Sequence, residues 1–367
     1  MLTIRELLQL LIVSKNNIDQ GFGGEKWVLD VAIEASRLCN VLVITTDKGD
    51  RNVNYASKLL ARPNVSIVEL NNEQRKSLLA VRKLLPDKVD TVYFVDSPFN
   101  RCLTRKFISL FPDSYKIKGN HTPISVYGNE PEVNLLIRIY FRLIKPLFLS
   151  AYKDVNLQHV LNRSDLQVVK KRYICTMIPN GIAPPDKIDN VKYDKFTLVL
   201  LGRLNYQKGV DRLRKILSMI NLDGQEFEIL ILGTGPYLKK LKKISHKSLK
   251  ILGYVNETEK QNIVKSSHFL ISLSRWEVFP YNILESLSMG TPVISFKIQG
   301  TVDMVADNYN GFLASDPKSM ARSIERAYKI YKERAYLEMR DSALKSSERY
   351  YISKIIPDLM RMLRCNR

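Results

Sequence analysis

Short apolar runs alternate with helical patterns along this chain, and the alternation happens twice. Leu8–Ser14, Val41–Thr46, Val65–Leu70, Thr91–Val95, Tyr115–Lys118, Val155–Val160 and Ile174–Ile178 read as strands, with helical periodicity at about Lys26–Arg37, Gln74–Leu84 and Arg101–Phe111. Strands of this kind, with helices between them, belong in a parallel sheet covered on both faces. The breaker cluster Pro179-Asn180-Gly181-Ile182-Ala183-Pro184-Pro185 then interrupts the pattern, as a surface loop or as a linker between domains. The alternation restarts with Phe196–Leu201, Phe227–Leu232, Leu249–Leu252, Phe269–Leu273, Pro292–Ser295 and Gly311–Leu313, and a helical tail runs from about Lys318 to Leu363. A length of 367 residues gives room for two α/β domains, each with its own core.

The candidate chemistry gathers after the strand His268–Ser274, in Arg275-Trp276-Glu277-Val278-Phe279-Pro280-Tyr281-Asn282-Ile283-Leu284-Glu285. Pro280 has no N–H and disfavours helix at Phe279, so a helix should begin at or just after Pro280. Glu277 then lies in the loop and Glu285 in the second helical turn. On their own they read more readily as an acidic loop residue and a solvated helix residue. Together they flank a helix N-terminus whose free N–H groups suit phosphate. Carboxylates accept hydrogen bonds from hydroxyls. An anion site between two hydroxyl acceptors fits a nucleotide sugar, with the diphosphate in the middle and ribose and hexose on either side.

Glu-x-Phe-Pro-x-x-x-x-Glu followed by Ser-Met-Gly-Thr-Pro-Val-Ile-Ser resembles the signature of the retaining glycosyltransferases of family four (glycosyl transferases group 1). The resemblance implies an α/β fold of two Rossmann-like domains facing across a cleft, the arrangement called GT-B. Residues 1–180, joined by a C-terminal helix at 350–367, would form the acceptor domain, and residues 181–349 the nucleotide-sugar donor domain. It further implies that Glu277 holds the transferred sugar and Glu285 the ribose. Phe279, Tyr281 and Asn282 join the donor set at the helix entry.

Further motifs fit the same expectation. In Gly202-Arg203-Leu204-Asn205-Tyr206-Gln207-Lys208-Gly209, Arg203 leaves a strand end and Lys208 opens the next helix, so both cations can converge on one anion. By resemblance they serve the donor diphosphate and stabilise the departing nucleotide without a metal. No Asp-x-Asp occurs in the chain, and no cofactor beyond the donor is expected. Gly233-Thr234-Gly235-Pro236 reads as a tight turn or a ligand contact, and the backbone at Val255 stands where the family meets the nucleobase. Gly23 and Gly24, after the first strand, would face the donor phosphate from the first domain; otherwise they form a flexible turn. His121 stands where many members place a histidine that touches the transferred sugar, and is otherwise a loop residue. Val278 and Pro280 replace glycines common in the family. Ile298-Gln299-Gly300-Thr301 stands where many members carry a Gly-Gly pair and an acidic residue, which leaves the shape of the pocket floor open.

A formal charge of +20 draws a chain toward phosphates, whether of nucleotides, anionic lipids or nucleic acid. Val133 to Leu149 is apolar nearly all round, with Arg138, Arg142 and Lys145 on one helical face, so it is either a buried helix or a membrane-surface helix. Lys116, Lys118, Lys170, Lys171 and Arg172 add charge to the same half. The run Leu7–Val13 is too short to span a bilayer. Cys39, Cys102, Cys175 and Cys365 are scattered without Cys-x-x-Cys, which fits a reducing, cytoplasmic setting. The sequence therefore reads as a retaining, metal-independent glycosyltransferase. It would move a hexose from a nucleotide diphosphate sugar to a glycan or lipid-linked hydroxyl, with an anionic membrane face as a further expected partner. A non-catalytic scaffold binding nucleic acid or membrane, and a sugar-nucleotide epimerase, are the rival readings. A nucleic-acid acceptor stays open.

Overall fold

The computed structural model describes residues 9–14, 16–21, 23–47, 53–96, 101–124, 139, 143, 154–185, 191–222 and 226–365. The expected helix at Val133 to Leu149, with Arg138, Arg142 and Lys145, lies outside the described residues apart from positions 139 and 143. The chain divides into two units, Met1–Asn180 with Ile355–Arg367, and Gly181–Lys354.

The first unit holds a seven-stranded parallel sheet in the order β3-β2-β1-β4-β5-β6-β7. Its strands are β1 (Gln9–Ser14), β2 (Asn40–Thr46), β3 (Val65–Leu70), β4 (Thr91–Asp96), β5 (Tyr115–Asn120), β6 (Leu157–Val160) and β7 (Cys175–Met177). Successive side chains on a strand point to opposite faces. Leu10, Ile12, Val41, Val43, Tyr93 and Val95 accordingly enter one core layer, and Leu11, Val13, Ile44, Val92 and Phe94 the other. Helix α1 (Gly23–Ala35) covers the first layer with Trp27, Val28, Val31 and Ala32. Phe107 and Phe111 cover the second. The first layer is completed by Ile355, Leu359, Met360, Met362 and Leu363, from a helix at Ile352–Leu363 near the end of the chain. That docking brings together two of the cysteines that the sequence scatters: the buried thiols of Cys39 and Cys365 lie 3.1 Å apart.

The second unit holds a six-stranded parallel sheet in the order β10-β9-β8-β11-β12-β13. These strands are β8 (Thr197–Leu201), β9 (Glu228–Leu232), β10 (Leu249–Gly253), β11 (Phe269–Ser272), β12 (Val293–Phe296) and β13 (Gly311–Ala314). One apolar cluster unites them with helical side chains such as Leu213, Ile216, Met320, Ile324 and Tyr336. In both sheets the first strand of the unit sits where the order reverses, with β2 and β4 flanking β1, and β9 and β11 flanking β8. The strand ends beside such a reversal splay their loops apart, and ligands bind there. The α/β architecture of two Rossmann-like units read from the sequence is present.

Two charges expected at the surface are not there. Lys116 and Lys118 are buried in β5. Lys116 Nζ donates to the carbonyls of Pro112 and Ser114, and Lys118 Nζ to Asn120 Oδ1. A strand inside a covered sheet has no solvated face, so its lysines turn their amines onto local oxygens. Lys170, Lys171 and Arg172 are exposed. Among the described residues no helix is long and apolar enough to cross a membrane.

Candidate functional site

The loops after β8 and β11 leave adjacent strands of the second unit, at its reversal point. They can lie against each other because residue 209 is glycine. Gly209 has φ 63°, and a Cβ there would stand 1.9 Å from the Leu273 carbonyl oxygen. Asn205 Oδ1 accepts from the Lys208 N–H at 3.0 Å, which turns the lysine side chain back over Gly202. Lys208 Nζ then meets Glu277 Oε1 at 2.6 Å. Ser274 Oγ donates to the same oxygen at 2.7 Å. Glu277 is only 8% exposed. A carboxylate this enclosed needs its counter-charge and its hydroxyl donor.

Arg275 points the other way. Its guanidinium forks onto Asp211 at 2.8 and 2.7 Å, donates to the Tyr206 carbonyl at 2.6 Å and lies over the Tyr206 ring. Burial works against ionisation of Asp211, but the Arg275 hydrogen bonds and charge outweigh it and hold the carboxyl below its usual range. The fork and the Arg275 N–H bond to the Gln207 carbonyl stitch the two loops together. Beneath them Gln299 Nε2 donates to the Glu277 carbonyl at 2.8 Å. Gly300 packs so closely that a Cβ would come within 2.4 Å of that carbonyl oxygen. The departure at Gln299-Gly300 thus gives the floor a hydrogen bond and keeps the small residue where it is needed.

Helix Tyr281–Ser288 begins directly after Pro280, which is its N-cap. Asn282 Nδ2 reaches the Leu201 carbonyl at 3.3 Å and ties the helix start to β8. Phe279 is buried, its ring edge-on to Tyr350 at 5.2 Å. Tyr281 is buried too, so both residues shape the wall from behind. Glu285, one turn further, accepts from Lys260 Nζ at 2.9 Å, and Lys260 bridges to Glu257 at the same distance. Burial opposes the Lys260 charge, but the two carboxylates prevail and raise its pKa. Arg203 is exposed at the end of β8, and Val255 is half-buried in the turn after β10. Of the two cations read as converging on an anion, Lys208 rests on Glu277.

In the first unit Gly23 and Gly24 form the first turn of α1, so they open the helix instead of preceding it. Glu25 beside them is buried and accepts from Asn16 Nδ2 at 2.8 Å. His121 follows β5, half-buried, with Nε2 3.0 Å from Tyr93 Oη and its ring edge-on to Trp27. Burial first, then His159 and Lys118, push its pKa well down, so it is neutral at pH 7.

Ser274, Gln299, Lys260 and the Asp211–Arg275 pair escape a reading of motifs. Gln299, Lys260 and Arg275 act through hydrogen bonds or ion pairs to distant segments, and only the small polar type of Ser274, three residues before Glu277, hints at its role. Among the described residues no group of three or more His, Cys, Asp or Glu side chains is placed to hold a metal ion.

Residues 185–342 match the family model described as glycosyl transferases group 1. One component of the human phosphatidylinositol N-acetylglucosaminyltransferase is 26% identical over 161 residues, 42% of this chain and 33% of that protein. The alpha-monoglucosyldiacylglycerol synthase of Streptococcus pneumoniae is 28% identical over 185 residues, 45% of this chain and 41% of that protein. The alignment thus spans well under two thirds of either relative. The crystal structure of HepE from Anabaena in complex with UDP-glucose superimposes with a TM-score of 0.76 at 15% identity, covering 98% of this chain and 100% of that one. Sucrose-phosphate synthase from Thermosynechococcus elongatus gives 0.76 at 15% identity, over 97% and 98% of the two chains. These likenesses confirm the fold. Over residues 185–342, within its second unit, the chain is similar to the glycosyl transferases of group 1.

Proposed function

We propose that this protein transfers a hexose, with retention of configuration, from a nucleotide diphosphate sugar to a hydroxyl of a glycan or lipid-linked acceptor. The observation that carries the reading is Glu277. It is buried at the reversal point of the second sheet and fixed by Lys208 and Ser274, and Glu285 follows it in the second turn of helix Tyr281–Ser288. Oε1 of Glu277 is taken by those two donors, which leaves Oε2 to accept from a sugar hydroxyl. Glu285 serves the ribose in the same way while Lys260 holds it in place. Between them, the N–H groups that open helix Tyr281–Ser288 take the diphosphate, with Arg203 and Lys208 supplying positive charge as the leaving group departs. The reaction on this reading needs no divalent metal.

The group 1 family match and the HepE complex with UDP-glucose support a nucleotide-sugar donor. Two relatives whose names carry phosphatidylinositol and glucosyldiacylglycerol support a lipid acceptor, and with it a peripheral position at a membrane. Incubating the purified protein with a panel of nucleotide sugars and measuring released nucleoside diphosphate tests the proposal. Release from at least one donor, reduced about a hundredfold in Glu277→Gln, is the expected result. Absence of both release and donor binding across the panel would refute it.

A further inference from the structure

Three polar rings in the first unit, Tyr93 and His159 buried and His121 half-buried, determine which protons they carry. His159 is fully buried on β6, and its Nε2 lies 2.7 Å from the Ile178 carbonyl oxygen. A carbonyl only accepts, so Nε2 carries the proton. Burial lowers the His159 pKa to about 4, so the ring is neutral and its Nδ1 is a bare acceptor. Tyr93 Oη stands 2.7 Å from that Nδ1, and burial keeps it a phenol, so its hydroxyl donates there. The same oxygen is 3.0 Å from His121 Nε2. Its one proton is already committed to His159, so it accepts, and His121 Nε2 is the donor. His121 is neutral, so its Nδ1 has no proton.

We infer that Tyr93 and His159 are positioning residues that fix His121 as the Nε2–H tautomer, so that its Nδ1 is offered to a ligand hydroxyl as an acceptor. The path starts at a backbone carbonyl, runs through β6 and β4, and ends at a half-buried ring after β5. Its geometry is built, not incidental. Tyr93 Oη occupies the space a side chain on residue 119 would fill: a Cβ on Gly119 would come within 2.0 Å of that oxygen and 2.8 Å of His121 Nε2. Trp27 stacks on the Tyr93 ring at 4.4 Å and 21° and meets His121 edge-on at 4.9 Å. A buried histidine that only satisfied the core would need the Ile178 carbonyl and Tyr93, with nothing beyond. Here the string of donors continues to a ring that solvent reaches.

The ligand class follows from the direction of the bonds. A ring nitrogen without a proton selects a donor, which is a hydroxyl of the sugar or of the incoming acceptor, and rejects a phosphate oxygen. The assignment of His121 to those ligands rests on the proposed transferase reading; the tautomer does not.

Long-range proton–nitrogen correlation spectra of histidine-labelled protein at pH 7 test both parts. The chain has only four histidines, so the signals are assignable by single substitutions. The wild-type spectrum should show His121 and His159 each protonated at Nε2 with Nδ1 bare. Protonation of His121 at Nδ1 would overturn the proposal, and this spectrum needs no variant to fold. Tyr93→Phe keeps the ring stack and removes the hydroxyl. It should give His121 a mixture of tautomers and lower kcat about ten- to a hundredfold, with the KM for the donor little changed. An unchanged His121 tautomer in a folded Tyr93→Phe protein would also overturn it. Wild-type protein without transferase activity would refute the proposed function while leaving the tautomer result standing.

Discussion

Lys208 and Glu277 meet with most of both side chains out of solvent, at 22% and 9% exposure. Removing one partner of such a pair leaves a buried charge without its counter-ion, at a cost of about 3–5 kcal/mol. Replacing Glu277 by Gln keeps the shape and an oxygen that can accept from Lys208 and Ser274, but removes the counter-charge, so the fold of the variant is checked by denaturant melting before turnover is read. Titration of nucleoside diphosphate should then separate the two acids. Glu277→Gln should lose turnover with nucleotide affinity nearly intact, and Glu285→Gln should lose affinity, about tenfold. Equal loss of affinity in both would reject the division of roles. The buried histidines predict a pH dependence. His159 and His268 are depressed to about 4 by burial, below the ordinary value near 6.5. Between about pH 6.5 and 4 the unfolded chain therefore binds protons that the folded chain refuses, so stability present at neutral pH falls as pH drops through this window. Each histidine contributes about 3 kcal/mol to that fall. Urea unfolding at pH 7 and pH 5 should show the slope, and His159→Gln should flatten it; an identical slope in the variant would count against the assignment.

At the level of elements, the site is two loops held in register by backbone contacts. Gly209 is the point where they touch. Gly209→Ala must leave its left-handed conformation or displace Leu273, so it should destabilise the second unit by at least about 1–2 kcal/mol. It should also move Lys208 off Glu277, and denaturant melting together with the turnover assay reads both. This is also where sequence reading reached its limit. The helix start at Tyr281 was legible because proline acts locally on its neighbours. The positions of Glu277 and Glu285 followed from that start. The grip of Lys260 on Glu285 was not legible, because it spans 25 positions and an amphipathic helix gives no sign of where a lysine tip will rest. Lys116 and Lys118 misled for a related reason: charge in a sequence suggests solvent, but β5 lies inside a covered sheet, and its lysines curl onto nearby oxygens. The strands themselves were plain, since a doubly covered sheet requires continuous apolar runs.

For the whole molecule, the proposed chemistry draws its positive charge from side chains and a helix N-terminus. Nucleotide release should therefore persist in excess chelator and gain little from magnesium or manganese; activity abolished by chelation and restored by either ion would contradict it. The division of the chain has a different bearing. The first sheet takes part of its cover from Ile355, Leu359, Met360 and Leu363, which come after all of the second unit. On the ribosome, strands β1 to β7 emerge with that apolar flank bare, and it stays bare while more than a hundred further residues, Gly181 to Lys354, are made. The two units thus cannot mature in the order of their synthesis. The second can close first, and the first waits for the helix at Ile352–Leu363. A nascent chain arrested before Ile355 should be cut readily by protease within residues 9–180, and addition of the remaining segment should protect it. In a growing cell that interval is a matter of seconds, long enough for a holding chaperone to take the exposed flank and to be released by the helix that replaces it.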